Sequence, residues 1–132
     1  MKRRKVCVIG NRSFPLTPEI GSEVVDILRT YPPQTTFLTR GSDGFDTFIL
    51  RACEVIELPV IPYPAAGGST NFDRDVQIVK DADEVLVFLD PATLDDENTG
   101  TAHVLSKALD QRKKVAAYSV SHNHLVYVGS DT

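Results

Sequence analysis

Lys5-Val6-Cys7-Val8-Ile9-Gly10 is an unbroken apolar run that ends in glycine. A strand with one wet face alternates apolar and polar residues, whereas a strand covered by helices on both faces is apolar throughout. The stretch is therefore read as the first, central strand of a parallel sheet.

Working outward, the turn containing Pro15 and Pro18 leads into Glu19–Thr30, where Ile20, Val24, Ile27 and Leu28 fall at helical spacing and stop before Pro32-Pro33. Thr35–Thr39 is β-branched and aromatic. It gives way through Arg40-Gly41-Ser42-Asp43-Gly44 to a helical pattern with Phe45, Phe48, Ile49, Ala52 and Ile56 on one face. Val60–Tyr63 is a short strand, placed at an edge because Pro62 cannot donate to a ladder. Ala65–Thr70 reads as a loop and Asn71–Lys80 as a helix carrying Val76, Ile78 and Val79. Glu84-Val85-Leu86-Val87-Phe88-Leu89-Asp90 is the clearest strand, ended by Asp90-Pro91. After it Ala102, Leu105, Ala108 and Leu109 follow helical spacing to Arg112, and Lys114–Val120 is a fifth strand. Leu125–Val128 forms a sixth, turned back through Ser121-His122-Asn123-His124.

Strands alternating with helices imply right-handed crossovers. The expected fold is α/β, a Rossmann-like three-layer sandwich with a mostly parallel five- to six-stranded sheet. The 132 residues suit a single domain, 1–132, able to bury roughly two-thirds of its unfolded surface. With 42% hydrophobic and 24% charged residues the chain is not of disordered type. No apolar run approaches ~20 residues, and Met1–Lys5 leads straight into a strand, so a cytoplasmic protein without membrane contact is expected. Net charge is −4, and Lys2-Arg3-Arg4-Lys5 is too short a cluster for a nucleic-acid footprint. Cys7 and Cys53 have no metal-type spacing and read as reduced, buried thiols.

Three glycine-containing segments follow strands: Gly10-Asn11-Arg12-Ser13, Gly41-Ser42-Asp43-Gly44-Phe45-Asp46, and Thr99-Gly100-Thr101 in the loop ahead of the fourth helix. Glycine allows backbone to approach an anion, and helix N-termini offer unpaired N–H groups, so each is a candidate phosphate cradle. Gly41, Ser42, Gly44, Gly100 and Thr101 would donate, with Arg12 or Arg74 as the bidentate cation. Asp46 is either a helix-capping or first-turn carboxylate or a hydrogen-bond acceptor for ribose or the glycine loop. Arg74 is either a phosphate partner or a solvated helix residue. Neither G-x-G-x-x-G nor G-x-x-x-x-G-K-[ST] occurs, so the ordinary dinucleotide and P-loop readings lack their key residues and are demoted.

Four segments in order, spread over about Lys5 to Ser119, resemble the SLOG superfamily, a Rossmann-like group that includes the LOG cytokinin-activating enzymes, the DprA fold and small YpsA-type proteins. Val8-Ile9-Gly10-Asn11-Arg12-Ser13-Phe14 is similar to the opening V-x-G-S-R-x-F of one branch of small proteins, with Asn11 in place of serine. Arg40-Gly41-Ser42-Asp43-Gly44-Phe45-Asp46-Thr47 is similar to its G-x-x-G-A-D segment. Arg74-Asp75 with Val79-Lys80-Asp81-Ala82-Asp83 matches its R-N pair and the A-D before the fourth strand, and Thr99-Gly100-Thr101 stands where that branch has G-G-T or S-G-T. The resemblance implies a nucleotide or nucleoside phosphate as ligand, a homodimer or higher oligomer, and a site drawn from Gly10, Asn11, Arg12, Gly41, Ser42, Asp43, Gly44, Asp46, Arg74, Asp90, Thr99, Gly100 and Thr101.

LOG-type phosphoribohydrolases carry P-G-G-x-G-T-x-x-E, and the position of that glutamate is Val104 here. Valine has no proton or lone pair to offer. The expectation is a sensing or binding module, with a nucleoside-monophosphate N-glycoside hydrolase or deoxyribosyltransferase as the alternative, using Asp46, Asp90 or Glu97. Asp90, Asp95, Asp96 and Glu97 read as an acidic surface loop or as a place for Mg2+ beside phosphate. No metal site is assigned, because His122-Asn123-His124 reads as a turn and His103 as an ordinary helix residue.

Overall fold

The computed structural model describes residues 4–11, 14–41, 44–63, 71–91 and 99–131. Within them strand and helix alternate up to a closing hairpin: β1 (Arg4–Gly10), α1 (Pro18–Arg29), β2 (Thr35–Thr39), α2 (Phe45–Val55), β3 (Val60–Pro62), α3 (Asn71–Asp81), β4 (Glu84–Leu89), α4 (Thr99–Asp110), β5 (Lys114–Ser121) and β6 (His124–Asp131). The α/β fold has one six-stranded sheet in the order β3-β2-β1-β4-β5-β6. Neighbouring strands from β3 through β5 run parallel, and β5 with β6 is the one antiparallel pair.

Because side chains alternate along a strand, β1 feeds two cores. Val6 and Val8 join Leu86 and Phe88 of β4 beneath Ile20, Val24 and Leu28 of α1 and Phe45, Ile49 and Cys53 of α2. Cys7 and Ile9 join Val85 and Val87 on the other side, beneath Ile78 and Val79 of α3 and Val104 and Ala108 of α4. Two helices thus cover each face. Both cysteines are buried and unbridged, as the sequence suggested.

The helical faces differ in detail from the sequence reading. Leu109 is exposed, whereas Val104 is fully buried. The helix α4 is therefore rotated so that Val104 and Ala108, four residues apart, meet the sheet. Likewise Val76 lies partly in solvent while Asp75, Ile78 and Val79 turn inward.

Thr17 starts α1 by accepting a hydrogen bond from the Ile20 amide at 3.1 Å. The β5–β6 turn has φ of 51° at His122 and 60° at Asn123, the paired positive values of a two-residue I′ hairpin. Its tip is tied to α1: Thr17 Oγ1 donates to Asn123 Oδ1 at 2.8 Å, and the Leu125 amide donates to Glu23 Oε1 at 3.2 Å. Among the described residues no helix is long and apolar enough to cross a membrane.

Gly10 closes β1 under an aromatic ring. A Cβ built there would lie 2.8 Å from Phe45 Cδ2. Gly10→Ala should accordingly cost about 1–3 kcal/mol through overpacking, measured by urea unfolding. Adding Phe45→Leu should return part of that loss, and fully additive losses would refute the contact.

Candidate functional site

In a parallel sheet the turns after each strand gather on one edge. The sheet order places β1 between β2 and β4, with the chain winding from β1 through β2 to β3 and then crossing to β4 on the other side. The carboxyl ends of β1 and β4 are therefore the point where the winding reverses, the usual ligand crevice of open α/β sheets. Gly10 ends β1 and Asn11 follows it, Arg40 and Gly41 follow β2, Asp90 follows β4, and the first turns of α2, α3 and α4 begin on the same edge.

Thr99, Gly100 and Thr101 form the first turn of α4, not a loop ahead of it. That first turn contains no acidic residue, in contrast to α2 with Asp46 and α3 with Asp73. Arg12, Ser42 and Asp43 lie outside the described residues, as do Asp95, Asp96 and Glu97. His103 falls within α4.

At this edge a set of polar side chains is buried. Asn11 is wholly buried, and Arg40, Asp46 and Asp75 are nearly so. Arg40 Nη2 donates to the Gly10 carbonyl at 2.9 Å, joining the ends of β1 and β2. Arg40 Nε lies 3.4 Å from Asp46 Oδ2 in α2, an ion-pair distance at which that nitrogen forms no hydrogen bond. Arg74 Nε stands 3.4 Å from Asp75 Oδ1, with only 11% of the Arg74 side chain exposed. The solvated-helix reading of Arg74 is thus overturned: its neighbour Asp75 turns inward and holds the guanidinium down.

Cys7 reports how closely these groups sit. Burial pushes its thiol far above the ordinary range; the Arg40 charge opposes that shift, and Asp46 and Asp75 reinforce it. Burial alone pushes Cys53 up to about 11.

Backbone conformation calls for glycine most clearly at Gly44, whose φ of 75° with ψ −118° is a region closed to side chains with a Cβ, and Gly41 has φ 74°, a left-handed value that glycine adopts most readily. Gly10 differs: Phe45 fills the space where its side chain would be, so its smallness is explained by packing without any ligand.

Sequence reasoning singled out Asp46 and Arg74 but passed over Arg40 and Asp75. The signal was present in each case, because a charged residue next to a strand end or on the apolar side of a helix must be paired when buried. Val104 of α4 is packed in the core, away from solvent. A groove of about 450 Å³ between α1 and α2, lined by residues such as Leu16, Gly21, Val25, Asp26, Arg29 and Phe48, contains none of the candidate residues. Among the described residues no group of three His, Cys, Asp or Glu side chains is placed to hold a metal ion.

Comparison with protein-family models, with curated proteins and with solved structures gives no significant match.

Two outcomes check this geometry. Asp46→Ala strands the buried Arg40 charge and should cost about 3–5 kcal/mol in a denaturant titration, well above a surface substitution. At pH 8, below the raised range of both thiols, Cys7 and Cys53 should resist a soluble thiol reagent until the protein is unfolded. Prompt labelling of the native chain would contradict the burial described.

Proposed function

We propose that this chain is a Rossmann-like, SLOG-type module that binds a nucleotide or nucleotide-derived small molecule at the carboxyl edge of its parallel strands. One observation carries the reading: the β1/β4 reversal point is bordered by buried polar side chains, Asn11, Arg40, Asp46 and Asp75, where an unused strand edge would be closed by apolar packing. Helix N-termini at the same edge supply N–H donors suited to a phosphate, and the first turn of α4, Thr99-Gly100-Thr101, has no carboxylate of its own to offset that potential.

Binding rather than turnover is the favoured role. Position 104, where LOG enzymes carry the glutamate, is an apolar residue packed in the core, and Asp46 stands in an ion pair with Arg40. A carboxylate already engaged by a guanidinium within the protein is poorly placed to serve a substrate. The ligand would lie outside the strand ends, its phosphate on backbone amides and its hydroxyl groups toward the buried carboxylates. A second copy of the chain is the proposed partner in solution, with Mg2+ entering only as a companion of the ligand's phosphate.

Isothermal calorimetry against nucleosides, nucleotides, cyclic nucleotides and ADP-ribose tests the proposal. At least one should bind, and Gly100→Glu, which puts a negative charge into the first turn of α4, should weaken that ligand by about tenfold or more. Silence across the whole panel, or indifference to Gly100→Glu, would remove the reading. Release of free base from a nucleoside monophosphate, lost in Asp46→Asn or Asp90→Asn, would replace it with the hydrolase alternative.

A further inference from the structure

The two outer strands of the sheet are built differently. β3 has three residues and includes Pro62, which has no N–H to offer a neighbouring strand. β6, at the other end, has eight residues and pairs only with β5. A long outer strand invites pairing with another chain, and proteins ordinarily blunt it with lysine, proline or an inward-pointing charge. From Leu125 to Gly129 β6 carries none of these, and Val126, Tyr127 and Val128 are 50%, 53% and 60% exposed.

Which backbone groups point outward follows from the hairpin. Its two-residue turn makes Ser121 and His124 a hydrogen-bonded pair, and alternation makes Ser119 and Val126 the next one. The amides and carbonyls of Leu125 and Tyr127 therefore face away from β5. The Leu125 amide agrees, since it donates to Glu23 Oε1 of α1 at 3.2 Å. The outward Tyr127 groups have no such partner among the described residues. A bulge at Val128, opposite Ala117 and Tyr118, ends this regular stretch. Its side chains are open on both faces. Leu125 and Tyr127 stand on the α1 side, the Tyr127 ring edge-on to Tyr118 at 5.3 Å. Val126, opposite Ser119, stands on the α3/α4 side with half of it in solvent.

We infer that β6 pairs antiparallel with β6 of a second copy of this chain, about a twofold axis at Val126, joining the two six-stranded sheets edge to edge. The Tyr127 amide of each copy donates to the Leu125 carbonyl of the other, and the two Val126 side chains meet on the axis. Symmetry selects a second copy as the occupant: in antiparallel pairing this stretch is its own complement, donor and acceptor standing at equal distances from the axis. Charge agrees with it. Each chain carries a net charge of −4, yet Leu125 to Ser130 is uncharged, so the paired strands set no like charges opposite one another. β5 stands between β6 and the β1/β4 reversal point. The inference is therefore independent of the nucleotide reading, and it assigns a surface to the second copy.

Sedimentation equilibrium of the full chain tests this. Between about 1 and about 100 µM the average mass should rise from 14.5 kDa toward twice that value. Val126→Lys and Val126→Glu each set two like charges face to face on the axis and should weaken self-association about tenfold or more. An equimolar mixture of the two variants should recover dimers, because the axis then joins lysine to glutamate. Val126 is half exposed, so both substitutions leave the core intact. In the unaltered chain, hydrogen exchange at the Tyr127 amide should slow about tenfold between the dilute and the concentrated sample, a readout that needs no variant. A chain that stays monomeric, a dimer indifferent to both substitutions, a mixture that fails to recover, a Tyr127 amide unmoved by concentration, or assembly beyond two copies overturns the inference. Each of those results leaves ligand binding at the reversal point standing.

Discussion

A guanidinium buried at the end of a strand is costly unless every neighbour cooperates, and Arg40 shows what that cooperation entails. Its Nη2 reaches the Gly10 carbonyl across the sheet, its Nε faces Asp46 in α2, and the uncharged Cys7 thiol lies within its field. These contacts fix the end of β1 against the end of β2 and hold the first turn of α2 over both. The Phe45 ring preceding Asp46 packs onto Gly10 at a distance that excludes any Cβ. One side of α2's first turn is thus secured by charge and the other by shape, and the glycines at 41 and 44 permit the sharp entry this requires.

Buried charge by itself does not mark function, and the opposite edge of the sheet demonstrates this. Glu84 at the start of β4 is 5% exposed. Tyr31 donates to it at 2.6 Å, and Arg4 and Lys114 lie 4.0 and 3.9 Å from its carboxylate with half their side chains in solvent. That arrangement ties α1's end to the sheet and opens to water through flexible cations, which is what a structural network looks like. At the carboxyl edge both members of the Arg40–Asp46 pair are enclosed, and they stand where the winding of the chain reverses. The difference lies in topology more than in the strength of any one pair.

Much of the architecture was legible because parallel strands carry their burial in their sequence. The runs at Val6–Ile9 and Val85–Leu89 have no polar residue to place in water, and Pro62 at a short strand anticipates its position at the edge next to β2 alone. The hairpin at His122-Asn123 was legible as a turn, since asparagine tolerates the left-handed backbone it adopts there. Less could be read where helix rotation decides the matter. In α4 both Val104/Ala108 and Leu105/Leu109 are apolar pairs at helical spacing, and only packing against β4 and β5 shows that the first pair is the buried one. Arg40 escaped notice as a site residue because its burial depends on Asp46 and on a carbonyl thirty residues earlier, neither of which local pattern reveals.

Gly10 illustrates why a glycine motif cannot by itself identify a phosphate cradle. It ends an apolar strand and precedes a polar turn, as a cradle residue would, yet the side where a Cβ would stand faces Phe45 and its carbonyl is already accepting from Arg40. The residue is needed whether or not an anion ever approaches. The β1/β4 reversal is marked instead by polar side chains retained at a cost that apolar packing would have avoided. Polar groups kept under such a penalty fix a particular arrangement of acceptors and donors, and here that arrangement stands at the reversal point of the sheet, where open α/β sheets usually bind their ligands.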